Sequence, residues 1–396
     1  MPPLFASTLR GLDRLKISSL TDVQVLCLET FNHEQDVLVQ SRAGTGKSTS
    51  IGILLNEQGP GSRLTLIVCP NPVLCKQTLD SLSVLIPSQL SDIRMVVSNT
   101  LSQPSLLGGI LPMKHTLVIG DPDSLTQCND RLGRFCFNTL IFDEADALFD
   151  ECYLEKSVNL IRACLRPETK TIFMSATFPP FIKTRIEECL HEADPSRPET
   201  PFHLELCSSR TVDSSRNAVV PHVKKLFVIS HPDAVIQLIN ELNPRSDRRL
   251  VLFGGSQKFL SSLASILPSF KICTFKTYID DYSKADIILD PKGLLSRGLN
   301  IPNLVYGISK GVPESKELLL HQWGRIAREG QTDGQFFHIV TADEIEHLNF
   351  LSFQLGVEFE EFCLTQKLHP FETHTSTEQR LEQVLALVQR AGIQIG

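Results

Sequence analysis

The chain lacks any stretch approaching the roughly 18 consecutive apolar residues of a membrane-spanning helix, so no segment is expected to cross a bilayer. Its eleven cysteines include no Cys-x-x-Cys pair and no nearby paired histidines. That excludes the usual zinc modules and fits free thiols in a reducing compartment. Residues 1–17 carry Arg10, Arg14 and Lys16 without an apolar run after them, so no signal peptide is expected and the address reads as intracellular, cytoplasmic or nuclear. Excess positive charge is missing too. The formal net charge is −7, which argues against holding nucleic acid by bulk charge and leaves only a local basic groove. Charged residues make up 21% and apolar residues 42% of the chain, proportions that exclude disorder and allow a sizeable core.

What is present is a long series of short apolar runs separated by helical patterns. The 396 residues suffice for two or three domains of roughly 150 residues each. Residues 36–40, 64–69, 116–119, 139–142 and 170–174 read as buried strands, and so do 225–229, 249–253, 285–289, 304–308 and 335–340. Continuously apolar strands alternating with helices predict parallel sheets covered on both faces. The expected fold is therefore α/β, with one such domain over 1–200, a polar linker over 201–222 and a second domain over 223–370. Residues 371–396 are expected to form a C-terminal helical tail.

The run at 36–40 leads straight into Ser41-Arg42-Ala43-Gly44-Thr45-Gly46-Lys47-Ser48, followed by Thr49 and a helical pattern. Strand, glycine-rich turn and helix in that order form the context of a phosphate-binding loop. The glycines let backbone N–H groups turn inward, and the helix start adds its positive end. Lys47 supplies a charge to the phosphates, and Ser48 offers a hydroxyl to Mg²⁺. The usual first residue is Gly or Ala; here it is Ser41.

A second apolar run, 139–142, delivers Asp143-Glu144-Ala145-Asp146 at its carboxyl end, where open α/β sheets place ligands. Asp143 is positioned to hold Mg²⁺ opposite Ser48, and Glu144 to orient or deprotonate an attacking water. ATP and Mg²⁺ are the implied cofactors.

Together these segments resemble the DEAD-box family of ATP-dependent RNA helicases, in the family's order, over about residues 9–340. The resemblance implies two tandem RecA-like domains. Gln24, in Thr21-Asp22-Val23-Gln24, corresponds to the residue that reads the adenine edge. Ser175-Ala176-Thr177 is similar to the motif that couples the nucleotide site to the second domain, with Asp146 and His321 as its implied partners. Val251-Leu252-Phe253 and Ser296-Arg297-Gly298-Leu299-Asn300 resemble second-domain motifs, the latter placing Asn300 near the ribose. His321-Gln322-Trp323-Gly324-Arg325-Ile326-Ala327-Arg328 is similar to the last motif, which makes Arg325 and Arg328 the implied arginine fingers. A guanidinium donates paired hydrogen bonds to phosphate oxygens and offsets charge as it develops. Fingers on the second domain would complete the site only when the domains close.

The departures cluster on the implied RNA side. Lys16-Ile17 stands where Gly-Phe is usual, Leu20 replaces Pro, and Phe5 is not at the spacing of the aromatic that stacks on adenine. Pro70-Asn71-Pro72-Val73-Leu74 occupies the place of Pro-Thr-Arg-Glu-Leu, and Asp121-Pro122-Asp123-Ser124 that of Thr-Pro-Gly-Arg. Two arginines are thus missing, and two acids are expected to face the phosphate path, where they would repel it. Ser98-Asn99 stands for Gly-Gly, Lys292-Gly293 for Thr-Asp, Asn300 for Asp, and Gln322 for the first Arg of the last motif.

The resemblance thus implies an ATP hydrolase that remodels RNA or RNA–protein complexes, with single-stranded or short duplex RNA as partner. The alternative is a catalytically weakened, ATP-binding scaffold among the partner proteins of a ribonucleoprotein assembly. A P-loop ATPase of another sort, such as a DNA helicase, is a third reading.

Overall fold

A computed structural model describes residues 4–30, 36–42, 44–57, 63–86, 92–96, 116–197, 202–205, 219, 222–230, 233–274, 284–290, 301–326 and 333–364. No helix among them is long and apolar enough to cross a membrane.

The described strands form two parallel sheets of seven strands each. The first contains β1 (Val37–Gln40), β2 (Leu64–Val68), β3 (Asp92–Val96), β4 (Thr116–Gly120), β5 (Thr139–Asp143), β6 (Lys170–Ser175) and β7 (Phe202–Glu205). The second contains β8 (Val223–Ile229), β9 (Arg249–Phe253), β10 (Ile272–Thr274), β11 (Ile287–Asp290), β12 (Leu304–Lys310), β13 (Gly334–Val340) and β14 (Glu360–Glu361). Their spatial orders are β3-β4-β2-β5-β6-β1-β7 and β10-β11-β9-β12-β13-β8-β14. Strand for strand the second order repeats the first, although the two halves show no obvious sequence repeat. The α/β fold with two RecA-like sheets agrees with the expectation.

Period-two alternation explains how one sheet serves two layers. In the first sheet Leu38, Leu66, Leu140, Phe142 and Phe173 pack with Leu160, Ile161, Ile182 and Ile186, which belong to the helices Leu154–Cys164 and Pro180–Ala193. Their strand neighbours Val37, Val39, Ile67, Ile141, Ile172 and Met174 pack on the other face with Ile51, Leu54, Leu74 and Leu82, from the helices Lys47–Glu57 and Pro72–Leu85. Because both faces are covered, the strands read as unbroken apolar runs.

At the amino ends of β1 and β6 a buried ion pair ties the first sheet to its last helix. The Arg197 guanidinium donates to both Asp36 oxygens at 2.6 and 2.7 Å and to the carbonyl oxygens of Arg166 and Thr169. Asp36 also accepts from the backbone N–H and hydroxyl of Thr171. Every oxygen of the buried carboxylate therefore has a partner, the condition under which such a pair persists.

One boundary shifts from the sequence reading. Residues 202–205, expected inside the linker, form β7 and pair with β1, so the first sheet extends past residue 200. The sequence Phe-His-Leu-Glu alternates apolar and polar residues, which a search for unbroken apolar runs passes over. The short edge strands β10 and β14, three and two residues long, were missed as well. The C-terminal tail, 371–396, lies outside the described residues.

Candidate nucleotide site

The glycine-rich loop connects β1 to the Lys47–Glu57 helix at the carboxyl end of the sheet. Gly44 and Gly46 have φ of +79° and +91°, the left-handed region that side chains avoid. A Cβ at Gly46 would lie 2.4 Å from Nε2 of Gln24, so the helix Asp22–Thr30 packs directly on the loop. Gln24 is buried, and its Oε1 accepts from the Thr21 N–H at 3.0 Å. The Thr21 hydroxyl in turn donates to the Thr45 carbonyl at 2.7 Å. The sequence reading named Thr21 only as the start of a motif; its hydroxyl is what fastens that motif to the phosphate loop.

Lys47 is buried, and its ammonium donates to the carbonyls of Ser41 at 2.5 Å and Arg42 at 3.0 Å. The Ser48 hydroxyl donates to Asp143 Oδ2 at 3.2 Å, so the two residues expected to hold Mg²⁺ touch across 95 residues of chain. Thr49 continues the helix, while Ala43 lies outside the described residues.

The acidic box sits on an aromatic footing. Phe142 stacks on Phe173 at 5.1 Å, and Phe149 meets both edge-on at 5.5 Å. Between these anchors Glu144 takes a left-handed backbone, φ +55° and ψ +53°. A glutamate held there costs on the order of 1–3 kcal/mol, and such strain concentrates at functional sites. Burial and the adjacent Glu144 charge push the Asp143 carboxyl up to about 6, against the pull of Lys47 and the Ser48 hydroxyl. A buried carboxylate lifted in this way gains from a cation beside it, so the pair Ser48–Asp143 fits a hard divalent ion with oxygen ligands.

The second half contributes from the helix Lys316–Trp323 and the turn after it. His321 is buried, and its Nε2 donates to Asp146 Oδ2 at 2.8 Å. The same oxygen accepts from the Thr177 hydroxyl at 2.6 Å. Thr177 N–H donates to the Ser175 hydroxyl at 3.3 Å, and the Ser175 carbonyl accepts from the Ser41 N–H at 3.1 Å. An unbroken path therefore runs Ser41, Ser175, Thr177, Asp146, His321, from phosphate loop to second sheet. His321 Nδ1 lies 3.8 Å from Glu144 Oε2, and both atoms are buried without a hydrogen-bond partner. Two facing polar atoms at that spacing leave a place for a bridging water. Arg325 is buried as well, with Nη2 3.9 Å from Glu144 Oε1 and Nε donating to the His321 carbonyl. Burial holds its guanidinium below the ordinary value, opposed by Glu144 and Asp143.

The structure thus brings together Gln24, Ser41, Arg42, Lys47, Ser48, Asp143, Glu144, Asp146, Ser175, Thr177, His321 and Arg325. Arg328 and Asn300 lie outside the described residues.

The expectation that two acids face a phosphate path is corrected for Asp121. Asp121 is buried; it caps the helix Pro122–Thr126, accepting from Ser124 N–H at 3.1 Å and the Ser124 hydroxyl at 2.7 Å. Asp123 pairs with Lys156. Asn71 does the same service for the helix Pro72–Leu85, accepting from Leu74 N–H at 3.0 Å. Both segments are N-cap followed by Pro at the first helical position, a signal legible in Asn71-Pro72 and Asp121-Pro122. Val73, one residue further on, is buried with the core residues of the second sheet.

Residues 21–184 match the family profile described as DEAD/DEAH box helicase. The chain is 24% identical over 360 residues to the probable DEAD-box ATP-dependent RNA helicase 48 of Arabidopsis thaliana, covering 82% of this chain and 43% of that protein. It is 24% identical over 387 residues to the ATP-dependent rRNA helicase spb-4 of Neurospora crassa, covering 82% and 57%. It therefore spans less than two thirds of these relatives' lengths. Among solved structures, Dbp5 of S. cerevisiae bound to RNA and ADP BeF3 superposes with a TM-score of 0.73 at 17% identity, over 98% of this chain and 97% of that one. Mss116p bound to ssRNA and AMP-PNP gives 0.72 at 18%, over 98% and 83%. These likenesses establish the fold; the chain matches the DEAD/DEAH box helicase profile over residues 21–184 and is similar over 82% of its length to these DEAD-box and rRNA helicase relatives.

Proposed function

We propose that this chain binds ATP with Mg²⁺ and hydrolyses it, coupling hydrolysis to closure of its two halves on single-stranded RNA so as to remodel RNA or RNA–protein complexes. The observation that carries this reading is the convergence of His321 and Arg325, from the second half, on Asp146 and Glu144, from the first. Lys47 and the inward N–H groups of the glycine-rich loop hold the triphosphate, and Gln24 meets the adenine edge. Ser48 and Asp143 hold Mg²⁺, which when bound offsets negative charge on the phosphates. Glu144, with His321 Nδ1 facing it, orients the attacking water and accepts its proton. Arg325 and Arg328 steady charge on the terminal phosphate, and Asn300 meets the ribose. The domains are 1–200, lengthened by β7 to 205, and 223–370, joined by a linker that begins after β7.

A second reading has its own support. Asn71 and Asp121 cap the helices at which the family's RNA-facing arginines are implied, and Ser124 is turned into the core. A first half without those cations grips a phosphodiester backbone weakly, as suits an ATP-binding scaffold in a ribonucleoprotein assembly.

The two readings separate in one experiment. ATP turnover is measured with and without single-stranded RNA at low salt, on the wild type and on Glu144→Gln. The remodelling reading expects RNA-stimulated turnover that Glu144→Gln abolishes. Turnover without RNA stimulation and without RNA binding favours the scaffold; an active Glu144→Gln enzyme overturns the catalytic assignment.

A further inference from the structure

Successive residues at the start of the Pro72–Leu85 helix serve different halves of the molecule. Leu74 and Cys75 pack with the first sheet's own core. Val73, only 6% exposed, belongs instead to a cluster whose other buried members all lie between Val223 and Leu355. The Asn71 side chain, accepting from Leu74 N–H at 3.0 Å, and Pro72 at the first helical position fix this turn, so Val73 is presented by a rigid support. That support stands beside the acidic box, because β2, which leads into it, pairs with β5 through Val68 and Phe142. The receiving cluster includes Trp323 and Ile326, which flank Arg325, whose Nη2 lies 3.9 Å from Glu144 Oε1. The resemblance implies Glu where this chain has Val73. A carboxylate in a buried apolar contact is unfavourable unless it is paired, whereas a valine gains from the burial.

We infer that Val73 is a peg between the halves, a positioning residue that shifts them towards closure and lessens the dependence of closure on RNA. The inference rests on the ATP-hydrolysing reading above and concerns what regulates it. His321 and Arg325 meet Asp146 and Glu144 only while the halves are together. Each contact buried between the halves therefore raises the fraction of molecules in which the site is complete. Val73 acts through the placing of Arg325 and not on the reacting atoms.

The test follows closure in the full chain by energy transfer between dyes on non-natural residues at the exposed positions Glu188 and Asn349, with AMP-PNP, Mg²⁺ and no RNA. RNA-free ATP turnover is measured beside it. Val73→Ala removes two carbons from the contact and is expected to lower the closed-to-open ratio about tenfold, and RNA-free turnover with it. Val73→Glu lowers both further, and Val73→Ile, which keeps the contact, stays near the wild type. Leu82→Ala truncates a residue of the same helix that packs in the first sheet's core. It lowers the urea midpoint but leaves the ratio within about twofold of the wild type, which separates a peg from general loosening. A wild type with no closed population, an unchanged ratio in Val73→Ala, or an equal fall in Leu82→Ala overturns the peg and leaves the nucleotide reading in place. If the wild type binds no AMP-PNP, that reading itself falls, and the peg with it.

Discussion

His321 of the second half reaches Asp146 of the first at 2.8 Å, on the carboxylate oxygen that also accepts the Thr177 hydroxyl at 2.6 Å. One oxygen thus joins the coupling segment of the first sheet to the helix that presents Arg325. His321→Ala is expected to lower ATP turnover by about tenfold to a hundredfold, the effect of one or two lost hydrogen bonds to a charged group. Thr177→Val should act in the same direction. Because both bonds end on one atom, the double variant should lose less than the two separate losses combined; strictly additive effects on turnover would sink the shared-oxygen account.

RNA affinity offers a second check. Pro72 stands at a place where the family resemblance implies an RNA-facing arginine, at the half-buried start of a helix already capped by Asn71. Pro72→Arg should raise affinity for single-stranded RNA several-fold at low salt and steepen the dependence of log K on log salt by about 0.7. Filter binding at three salt concentrations measures both. An unchanged slope would mean that no backbone passes this helix.

Acid sensitivity should trace in part to His338. The ring is buried between Phe336 and Phe359, and its Nδ1 donates to the Gly311 carbonyl at 3.4 Å. Burial pushes its pKa down to about 4 from an ordinary 6.5. Above pH 6.5 the ring is neutral whether folded or unfolded and costs nothing. As pH falls below 6.5 the unfolded chain takes up the proton first, so folding stability declines until pH 4. The full loss is about 3 kcal/mol, of which about 2 is reached at pH 5. Urea titrations at pH 7 and pH 5 should show that difference shrinking in His338→Phe.

The Asp36–Arg197 pair predicts a large stability effect remote from the site. Arg197→Ala removes the bidentate partner and the bonds to two carbonyls, leaving Asp36 buried with only the Thr171 donors. A cost of about 3–5 kcal/mol is expected, read as a lower urea midpoint. A shift under about 1 kcal/mol would mean that the clamp is replaced by solvent.

The sequence made the interior of both sheets legible, because strands covered on two faces, such as 64–68 and 139–143, are apolar throughout. It made the phosphate loop and the acidic box legible, because their chemistry tolerates few residue types. The edge strand 202–205 was hidden because its sequence alternates polar and apolar residues instead of forming an apolar run. Asp121 was misread because a carboxylate looks the same in a string of letters whether it caps a helix or faces solvent; only the Ser124 partners decide. Neither the Ser41–Thr45 bond nor the placing of Val73 with the second sheet follows from local spacing, since each depends on how separate segments meet.

The alternation along the first sheet bears on how such a chain drifts. Ile141 and Phe142 are neighbours, yet a change in volume at one is absorbed by the layer that carries the phosphate-loop helix, and at the other by the layer beneath the acidic box. The two layers can therefore accumulate substitutions on separate clocks. A lineage could rewrite one outer face for new contacts while the opposite layer keeps its packing, with the sheet as the insulating wall between them.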